Sequence, residues 1–284
     1  MLASAAFMSS ALAATLGPLH SHNDYSQSRP LELALAQGFP SIEADIWHWD
    51  GDLQVGHLPL VFKGTLRELY LMPLLFRVLE KGGSVHGDGK TFFLWVEFKE
   101  GSTEAVDLLR KELELFPIFT EFSDRGIRWR AVTVILTGNE KSKERFVSFP
   151  GARLATRDSE WISSSDPAAD LTGQNQWLWY SLNWKKFFSW DGRGKISAQE
   201  RAALRGLLDG AHSMGRKVRF FNTPDRRSFW RLAQAEGFDL VGTDRVEALA
   251  EFWRNQPAKA LARSRAPLTS SSSESLPSRD PLRR

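Results

Sequence analysis

The chain has 284 residues, of which 42% are hydrophobic and 25% charged, with a formal net charge of +3. This is the composition of an ordinary globular protein that is long enough for one large domain. It contains no cysteine, which excludes disulfides, thiol catalysis and thiolate-bound zinc. No run of lysine and arginine is interleaved with aromatic residues, so the positive charge does not predict a nucleic-acid surface.

The two ends of the chain differ from the rest. Residues 1–14, MLASAAFMSSALAA, are small and apolar and contain the small-x-small pattern of a signal-peptide cleavage site. The basic n-region of a signal peptide is missing from this stretch. We therefore expect a signal-peptide-like leader and a secreted or periplasmic protein. Residues 259–284 are rich in Ser, Pro and Arg, which predicts a disordered tail. One domain at 15–258 remains, and no apolar run reaches the roughly 18 residues of a transmembrane helix.

Short apolar runs alternate with amphipathic stretches within this domain. The runs are rich in β-branched and aromatic residues, as expected of strands covered on both faces. They predict eight strands, at 17–21, 41–47, 92–98, 131–136, 152–156, 177–183, 217–222 and 240–244. Helical patterns lie between the strands, at 30–38, 65–83, 102–116, 139–149, 197–215, 224–237 and 245–253.

Eight strands that alternate with helices predict a (β/α)8 TIM barrel, a parallel α/β fold of about 250 residues. In such a barrel the active site lies at the carboxyl ends of the strands. An open doubly wound sheet is the alternative, and the number of strands distinguishes the two.

Polar side chains lie where four of the predicted strands end. They are His20 and His22 in the first strand, Glu43 and Asp45 in the second, Glu97 and Lys99 in the third, and Asp244 in the eighth. Carboxylates inside apolar strands are unfavourable unless they are paired or bind a metal, and three of them on adjacent strands repel one another without a cation. Oxygen ligands favour Mg²⁺ or Ca²⁺. The alternative is structural: an ordinary Glu97–Lys99 salt bridge, with the other two acids capping backbone.

His57 follows a predicted hairpin that has Asp50 and Gly51 at its turn. A three-residue connection would pair Asp45 with His57 on one face, whereas a two-residue turn would pair Ala44 with His57 and point its side chain away. We predict the first register, because it returns His57 to the carboxylates.

The motif HSHNDYSQSRPLELALAQGFPSIEADIW at 20–47, the later GH at 56–57, VEFK at 96–99 and GTD at 242–244 together resemble the altered inheritance of mitochondria protein 6 family. That family is one of the phosphatidylinositol-phospholipase-C-like phosphodiesterases, as are the glycerophosphodiester phosphodiesterases and the sphingomyelinase D toxins. The resemblance spans roughly 18–250. It implies a TIM barrel and a metal-dependent phosphoric diester hydrolase that acts on a phospholipid-derived or glycerophosphodiester-like substrate.

The resemblance also implies roles for individual residues. His20 and His57 match the catalytic histidine pair, while Glu43, Asp45 and Glu97 match the ligands of one divalent ion, Mg²⁺ or Ca²⁺.

Further residues are candidates for phosphate or substrate binding: Lys99, His22, Asn222 and Asp244, with Asn183 and Arg219 as other possible contacts. The His-Arg-Gly of the glycerophosphodiesterases is here His20-Ser21-His22, so their phosphate-binding arginine is absent at that place. His22 could be the working base with His20 supporting it, or it could bind the phosphate.

Two other classes fit part of the pattern. An amidohydrolase barrel also begins with H-x-H, but it needs histidines on strands five and six, and none lies between His86 and His212. A non-catalytic barrel that binds phospholipid head groups remains open, because a fold does not define an activity. The expected partner is a small-molecule or lipid phosphodiester, without nucleic acid, and the sequence does not indicate an oligomeric state.

Overall fold

The computed structural model describes residues 15–163, 166 and 177–256. The predicted leader at 1–14 and the predicted tail at 259–284 lie outside the described residues, so both stay predictions. None of the helices in the described ranges combines the length and the apolar character needed to cross a membrane.

Twelve strands lie in the described part of the chain. They are β1 (Leu19–Ser21), β2 (Ser41–Trp49), β3 (Asp52–Val55), β4 (Gly64–Thr65), β5 (Phe92–Phe98), β6 (Glu121–Ser123), β7 (Gly126–Arg128), β8 (Val132–Gly138), β9 (Ala155–Ser159), β10 (Trp177–Asn183), β11 (Lys217–Phe221) and β12 (Val241–Thr243). Eight of them correspond to the eight predicted strands.

These eight strands form one parallel sheet in the order β11-β10-β9-β8-β5-β2-β1-β12. The two ends of the row meet at a parallel bridge between Arg219 of β11 and Leu240, the residue before β12. The sheet therefore closes on itself, and the predicted α/β barrel is confirmed.

Helices connect the strands as predicted. They are α1 (Glu32–Ala36), α2 (Met72–Glu80), α3 (Thr103–Glu114), α4 (Glu140–Ser148), α5 (Trp184–Phe187), α6 (Ala198–Ser213), α7 (Arg227–Glu236) and α8 (Val246–Arg254). Ser102, Asn139 and Ser197 cap the starts of α3, α4 and α6 by accepting a backbone N–H. The sequence did not predict the β6–β7 hairpin or the four-residue α5, because such short elements lack a periodic pattern.

Aromatic side chains fill the interior of the barrel. Trp95, Ile135, Trp179 and Leu240 form a buried cluster separate from the larger core between sheet and helices. The rings of Trp95 and Trp179 meet edge to face with centroids 5.5 Å apart, an arrangement that aromatic pairs prefer. The His20 ring lies edge-on to Trp95 at 5.8 Å. This apolar cluster therefore packs directly beneath the polar residues at the mouth of the barrel.

The hairpin that follows the second barrel strand corrects one prediction. The last residues of β2 pair antiparallel with β3, from Ile46–Val55 to Trp49–Asp52. Asp50 and Gly51 form a two-residue turn and both have positive φ, 51° and 80°, as a type I′ turn requires. The predicted three-residue connection is therefore wrong, because the turn chemistry of an Asp-Gly pair determines the register.

Candidate active site

Three carboxylates meet at the carboxyl ends of β2 and β5. Asp45 is the parallel neighbour of Glu97 in the register of the two strands, and Glu43 lies two residues earlier on the same face of β2. One oxygen from each of the three carboxylates lies within 4.8 Å of the others. The predicted convergence of Glu43, Asp45 and Glu97 is therefore confirmed.

Two cations contact this acidic cluster. Lys99 Nζ lies 2.9 Å from Glu97 Oε1 and 3.2 Å from Asp45 Oδ2. Arg219 Nη2 donates to both oxygens of Glu43, at 2.9 Å each. The Glu97–Lys99 salt bridge, which the sequence analysis considered as the alternative to a metal site, is present. It belongs to a larger charged network and is not an isolated pair.

The pKa values of two of the carboxylates are shifted in opposite directions. Burial alone would raise the pKa of Glu43, but the charge of Arg219 and the hydrogen bond from His20 hold it well below its ordinary value. Burial and the negative charges of Glu43 and Asp45 raise the pKa of Glu97 to about 7. The negative charge of Glu97 is therefore unfavourable beside the other two acids, even with Lys99 in contact.

The donor atoms of this cluster fit a hard divalent cation. Asp45 is fully buried, and its Oδ1 has no hydrogen-bond partner among the described residues. A buried carboxylate oxygen is normally paired. An oxygen-only set with an unpaired oxygen suits Mg²⁺ or Ca²⁺.

His20 is fully enclosed. Its side chain is 1% exposed, Nδ1 lies 2.8 Å from Ser41 Oγ, and Nε2 lies 3.2 Å from Glu43 Oε2. Because a carboxylate only accepts, the neutral ring donates from Nε2 and accepts from Ser41 at Nδ1. Burial and the nearby Arg219 charge lower the pKa of His20 to about 4. Both ring nitrogens are therefore occupied within the protein.

His22 is accessible at the mouth of the barrel. Its side chain is 36% exposed and its Nδ1 lies 2.7 Å from Asp244 Oδ1, while Nε2 is 3.9 Å from Glu43 Oε2. Burial lowers the pKa of His22, but the hydrogen bond to Asp244 and the negative charges of Glu43 and Asp244 together outweigh it, so the pKa is raised from its ordinary value. The structure thus brings the predicted His22 and Asp244 together as a carboxylate-oriented histidine.

His57 has the same kind of partner on another side of the cluster. Its Nδ1 lies 3.1 Å from Asp45 Oδ2, and its side chain is 61% exposed. Tyr25 OH donates to that same oxygen at 2.8 Å. His22 and His57 therefore each face a carboxylate through Nδ1, which leaves Nε2 of each ring as the nitrogen for proton transfer.

A cavity of about 180 Å³ adjoins the histidines on the side of β11 and β12. Asn222, which follows β11 with a positive φ of 56°, lines it together with His20, His22, Lys185, Arg219, Phe220, Phe221, Thr223, Asp225, Gly242, Thr243 and Asp244. The predicted Asn222 and Asp244 thus lie at the same opening, whereas Lys99 and the other acids lie in the cluster behind it.

Asp24 is a residue of the site region that the sequence reasoning missed. It is fully buried and accepts hydrogen bonds from Ser21 Oγ at 2.7 Å, from the Leu31 N–H at 2.5 Å and from Tyr70 OH at 3.1 Å. These contacts fix the loop that carries His22. The sequence indicates a structural role for Asp24 only through its place within HSHNDY, because two of its three hydrogen-bond donors, Leu31 and Tyr70, lie outside that motif.

The fold and the site together define an α/β barrel with a candidate divalent-metal centre and accessible histidines at its mouth. Residues 12–145 match the family described as the AIM6-like phosphodiesterase domain. The chain is related to the altered inheritance of mitochondria protein 6 proteins, as its motifs predicted. The phosphodiesterase class of the domain therefore agrees with the chemistry of the site.

Two relatives indicate the extent of the likeness. The altered inheritance of mitochondria protein 6 of Saccharomyces cerevisiae strain ATCC 204508 / S288c is 30% identical over 249 residues, covering 73% of this chain and 62% of that protein. The homolog from Arthroderma benhamiae is 28% identical over 278 residues and covers 83% of each chain. This chain thus spans about 62% of the length of the Saccharomyces relatives.

A solved structure of similar shape is the glycerophosphodiester phosphodiesterase from Agrobacterium tumefaciens str. C58. It is 12% identical, with a TM-score of 0.43, and the alignment covers 84% of this chain and 100% of that one.

Proposed function

We propose that this protein is a metal-dependent phosphoric diester hydrolase. The observation that carries the proposal is the arrangement at the barrel mouth. Three carboxylates converge within 4.8 Å, and two accessible histidines, His22 and His57, are each oriented by a carboxylate. The match to a phosphodiesterase domain supports the same chemistry.

Glu43, Asp45 and Glu97 would hold the ion. When bound, a divalent ion supplies positive charge to a non-bridging oxygen of the phosphate. Arg219 and Lys99 contact the three carboxylates and so offset part of their mutual repulsion.

His22 and His57 are the proposed acid–base pair, in place of the pair His20 and His57 that the resemblance implies. Proton transfer requires a ring nitrogen that can reach the substrate. Both nitrogens of His20 are engaged inside the protein, whereas among the described residues no hydrogen bond occupies Nε2 of His57. His20 is then a positioning residue that orients Glu43.

The reaction balances with these two histidines. One takes the proton of the attacking hydroxyl, which comes from water or from the substrate itself, as a new P–O bond forms. The other gives its proton to the leaving oxygen as the old P–O bond breaks. The return of the proton from one histidine to the other through solvent completes the cycle.

An apolar loop beside His57 favours a phospholipid-derived substrate. Leu58, Leu60 and Val61 are 58%, 64% and 58% exposed, and they follow His57 directly. Leu60 has a positive φ of 65°, a strained conformation for a leucine that occurs where surrounding structure imposes it. Exposed apolar side chains next to a polar centre suit a substrate with one apolar and one charged part.

A panel of phosphodiesters tests the proposal. Glycerophosphodiesters, lysophospholipids and inositol phospholipids are incubated with the protein and Mg²⁺ or Ca²⁺, and products are followed by phosphorus NMR, which also separates hydrolysis from cyclic products. We expect turnover that EDTA abolishes and added metal restores. His57→Ala is the inactive control. Binding of these lipids without any turnover would instead indicate the non-catalytic head-group barrel.

A further inference from the structure

We propose that Arg219 anchors the phosphate of the substrate through Nη1, the end of its guanidinium that Glu43 leaves free. This deepens the function proposed above and rests on it, because it assigns the anion-binding group of that same site. The group comes from β11, on the far side of the barrel from the acids of β5.

The first step is the burial of Arg219. Its side chain is only 4% exposed, and its guanidinium carbon lies 4.6 Å from the centre of the Trp95 ring. A guanidinium is always charged, and its removal from water is unfavourable unless its donors are paired. The Trp95 ring covers one face of the group, so its remaining interactions must be made in the plane of its nitrogens.

Those in-plane interactions are incomplete. Nη2 donates to both Glu43 oxygens at 2.9 Å, but Nη1 has no hydrogen-bond partner among the described residues. A buried donor without a partner is uncommon in a folded protein. The charge of Arg219 therefore neutralises Glu43 with one nitrogen and leaves the other, which is itself buried, without a partner among the described residues.

The ligand space is the cavity beside β11 and β12, because Arg219 lines it. Lys185 contributes a second positive charge to its wall. The carboxylates of the wall are already occupied: Asp244 faces His22 at 2.7 Å, and Asp225 accepts from Thr243 Oγ1 at 2.7 Å. Both carboxylates keep their charge, but the unpartnered Arg219 Nη1 is a donor and can pair only with an acceptor.

The chemistry of a guanidinium selects the class of that acceptor. The planar guanidinium binds phosphate oxygens through charge-assisted hydrogen bonds. A phosphodiester carries one negative charge over two non-bridging oxygens. With Glu43 on Nη2, the nearby acidic cluster and His22 would lie beside an oxyanion held at Nη1, where the proposed chemistry requires the phosphorus.

The test measures phosphate binding and not turnover. Inorganic phosphate is titrated into the full protein in EDTA, and binding is followed by two-dimensional ¹H–¹⁵N NMR, so a lost metal ion cannot produce the result. Arg219→Lys keeps a positive charge for Glu43 but removes the second nitrogen. We expect it to weaken phosphate binding by at least about tenfold.

A matched control makes the same change elsewhere. Arg216 is also buried, 1% exposed, and stacks on Trp177 with its guanidinium 4.4 Å from the ring centre, but it does not line this cavity. Arg216→Lys should bind phosphate as the wild type does. Equal binding by Arg219→Lys and the wild type would overturn the proposal, as would chemical shift changes confined to residues away from the cavity.

A second variant has the opposite expected sign and does not depend on the folding of Arg219→Lys. Glu43→Gln removes the competing carboxylate and frees Nη2, so phosphate should bind more tightly than in the wild type in EDTA. Unchanged or weaker binding would refute the inference. The proposed function fails separately, if no phosphodiester is turned over with metal present.

Discussion

His57 Nδ1 lies 3.1 Å from Asp45 Oδ2 although the β2–β3 ladder, which ends at Ile46–Val55, has the register that would point His57 away. The contact forms because the chain leaves the ladder at Gly56. The Gly56 N–H still donates to the Asp45 carbonyl at 3.1 Å, and the strand then gives way to the loop that carries His57. The position of a proposed catalytic group thus depends on a glycine and not on the strand register.

Gly56→Ala should therefore reduce turnover. A Cβ at this position would lie 2.4 Å from the Val61 carbonyl oxygen, so the loop that holds His57 must shift. A displacement of about 1 Å costs about 10²-fold in rate, and kcat should fall towards that extent while calorimetry shows metal binding unchanged. Gly210→Ala, in α6, meets no atom within 4 Å and is the control. A fully active Gly56→Ala enzyme would mean that the loop can relax without moving His57.

The choice of proton-transfer groups is tested by three single alanine variants and one double variant. His22→Ala and His57→Ala should each lose about 10²–10⁴-fold in kcat, and the double variant should be little worse than either, because the two act as a unit. His20→Ala should lose less turnover, and its defect should include weaker metal binding through Glu43. Near-full activity of His22→Ala with a dead His20→Ala would reverse the assignment.

The acidic cluster should bind one hard ion. Calorimetric titration with Mg²⁺ and with Ca²⁺ is expected to show one site, and Glu97→Gln should weaken it because the variant removes one anionic ligand. Glu114→Gln, which changes an exposed glutamate at the end of α3, serves as the charge control. Tight zinc binding through the histidines with no response to Mg²⁺ would contradict this assignment.

The pH dependence should reflect the His22–Asp244 contact. The hydrogen bond raises the pKa of His22, and Asp244→Asn removes the charge, so the pKa falls. Whether His22 acts as base or as acid, the limb of the pH–rate profile that it sets should move to lower pH. Asp239→Asn, which alters the equivalent 2.7 Å contact of His212, should leave the profile unchanged. A profile unaffected by Asp244→Asn would exclude His22 from proton transfer.

Asp24 should contribute to stability more than to chemistry. Asp24→Ala leaves the donors on Ser21, Leu31 and Tyr70 without their buried acceptor, so it should lower the free energy of unfolding by about 3 kcal/mol. Tyr70→Phe removes one of these bonds and should cost about 1 kcal/mol. Urea denaturation measures both. Equal losses for the two variants would show that Tyr70 carries the network.

The sequence by itself determined the barrel and the identity of the acidic cluster. Continuous apolar runs and amphipathic stretches are local signals, because strand and helix periodicity are written in neighbouring residues. The pair Glu43-x-Asp45 shares a face by strand geometry alone, and carboxyl ends of parallel strands meet at one mouth. Eight strands and the convergence of Glu97 followed from those rules.

Only the tertiary structure decided which charged side chains are paired inside the protein and which remain accessible to a substrate. Arg219 meets Glu43 across 176 residues of chain, because the barrel brings β11 to face β2. His22 meets Asp244 across 222 residues, because β1 pairs with β12. The sequence placed His20 and His22 equally at a strand end. The two histidines differ in burial and in hydrogen-bond partners. Both properties are set by neighbours on distant strands and not by the residues beside each histidine in the chain.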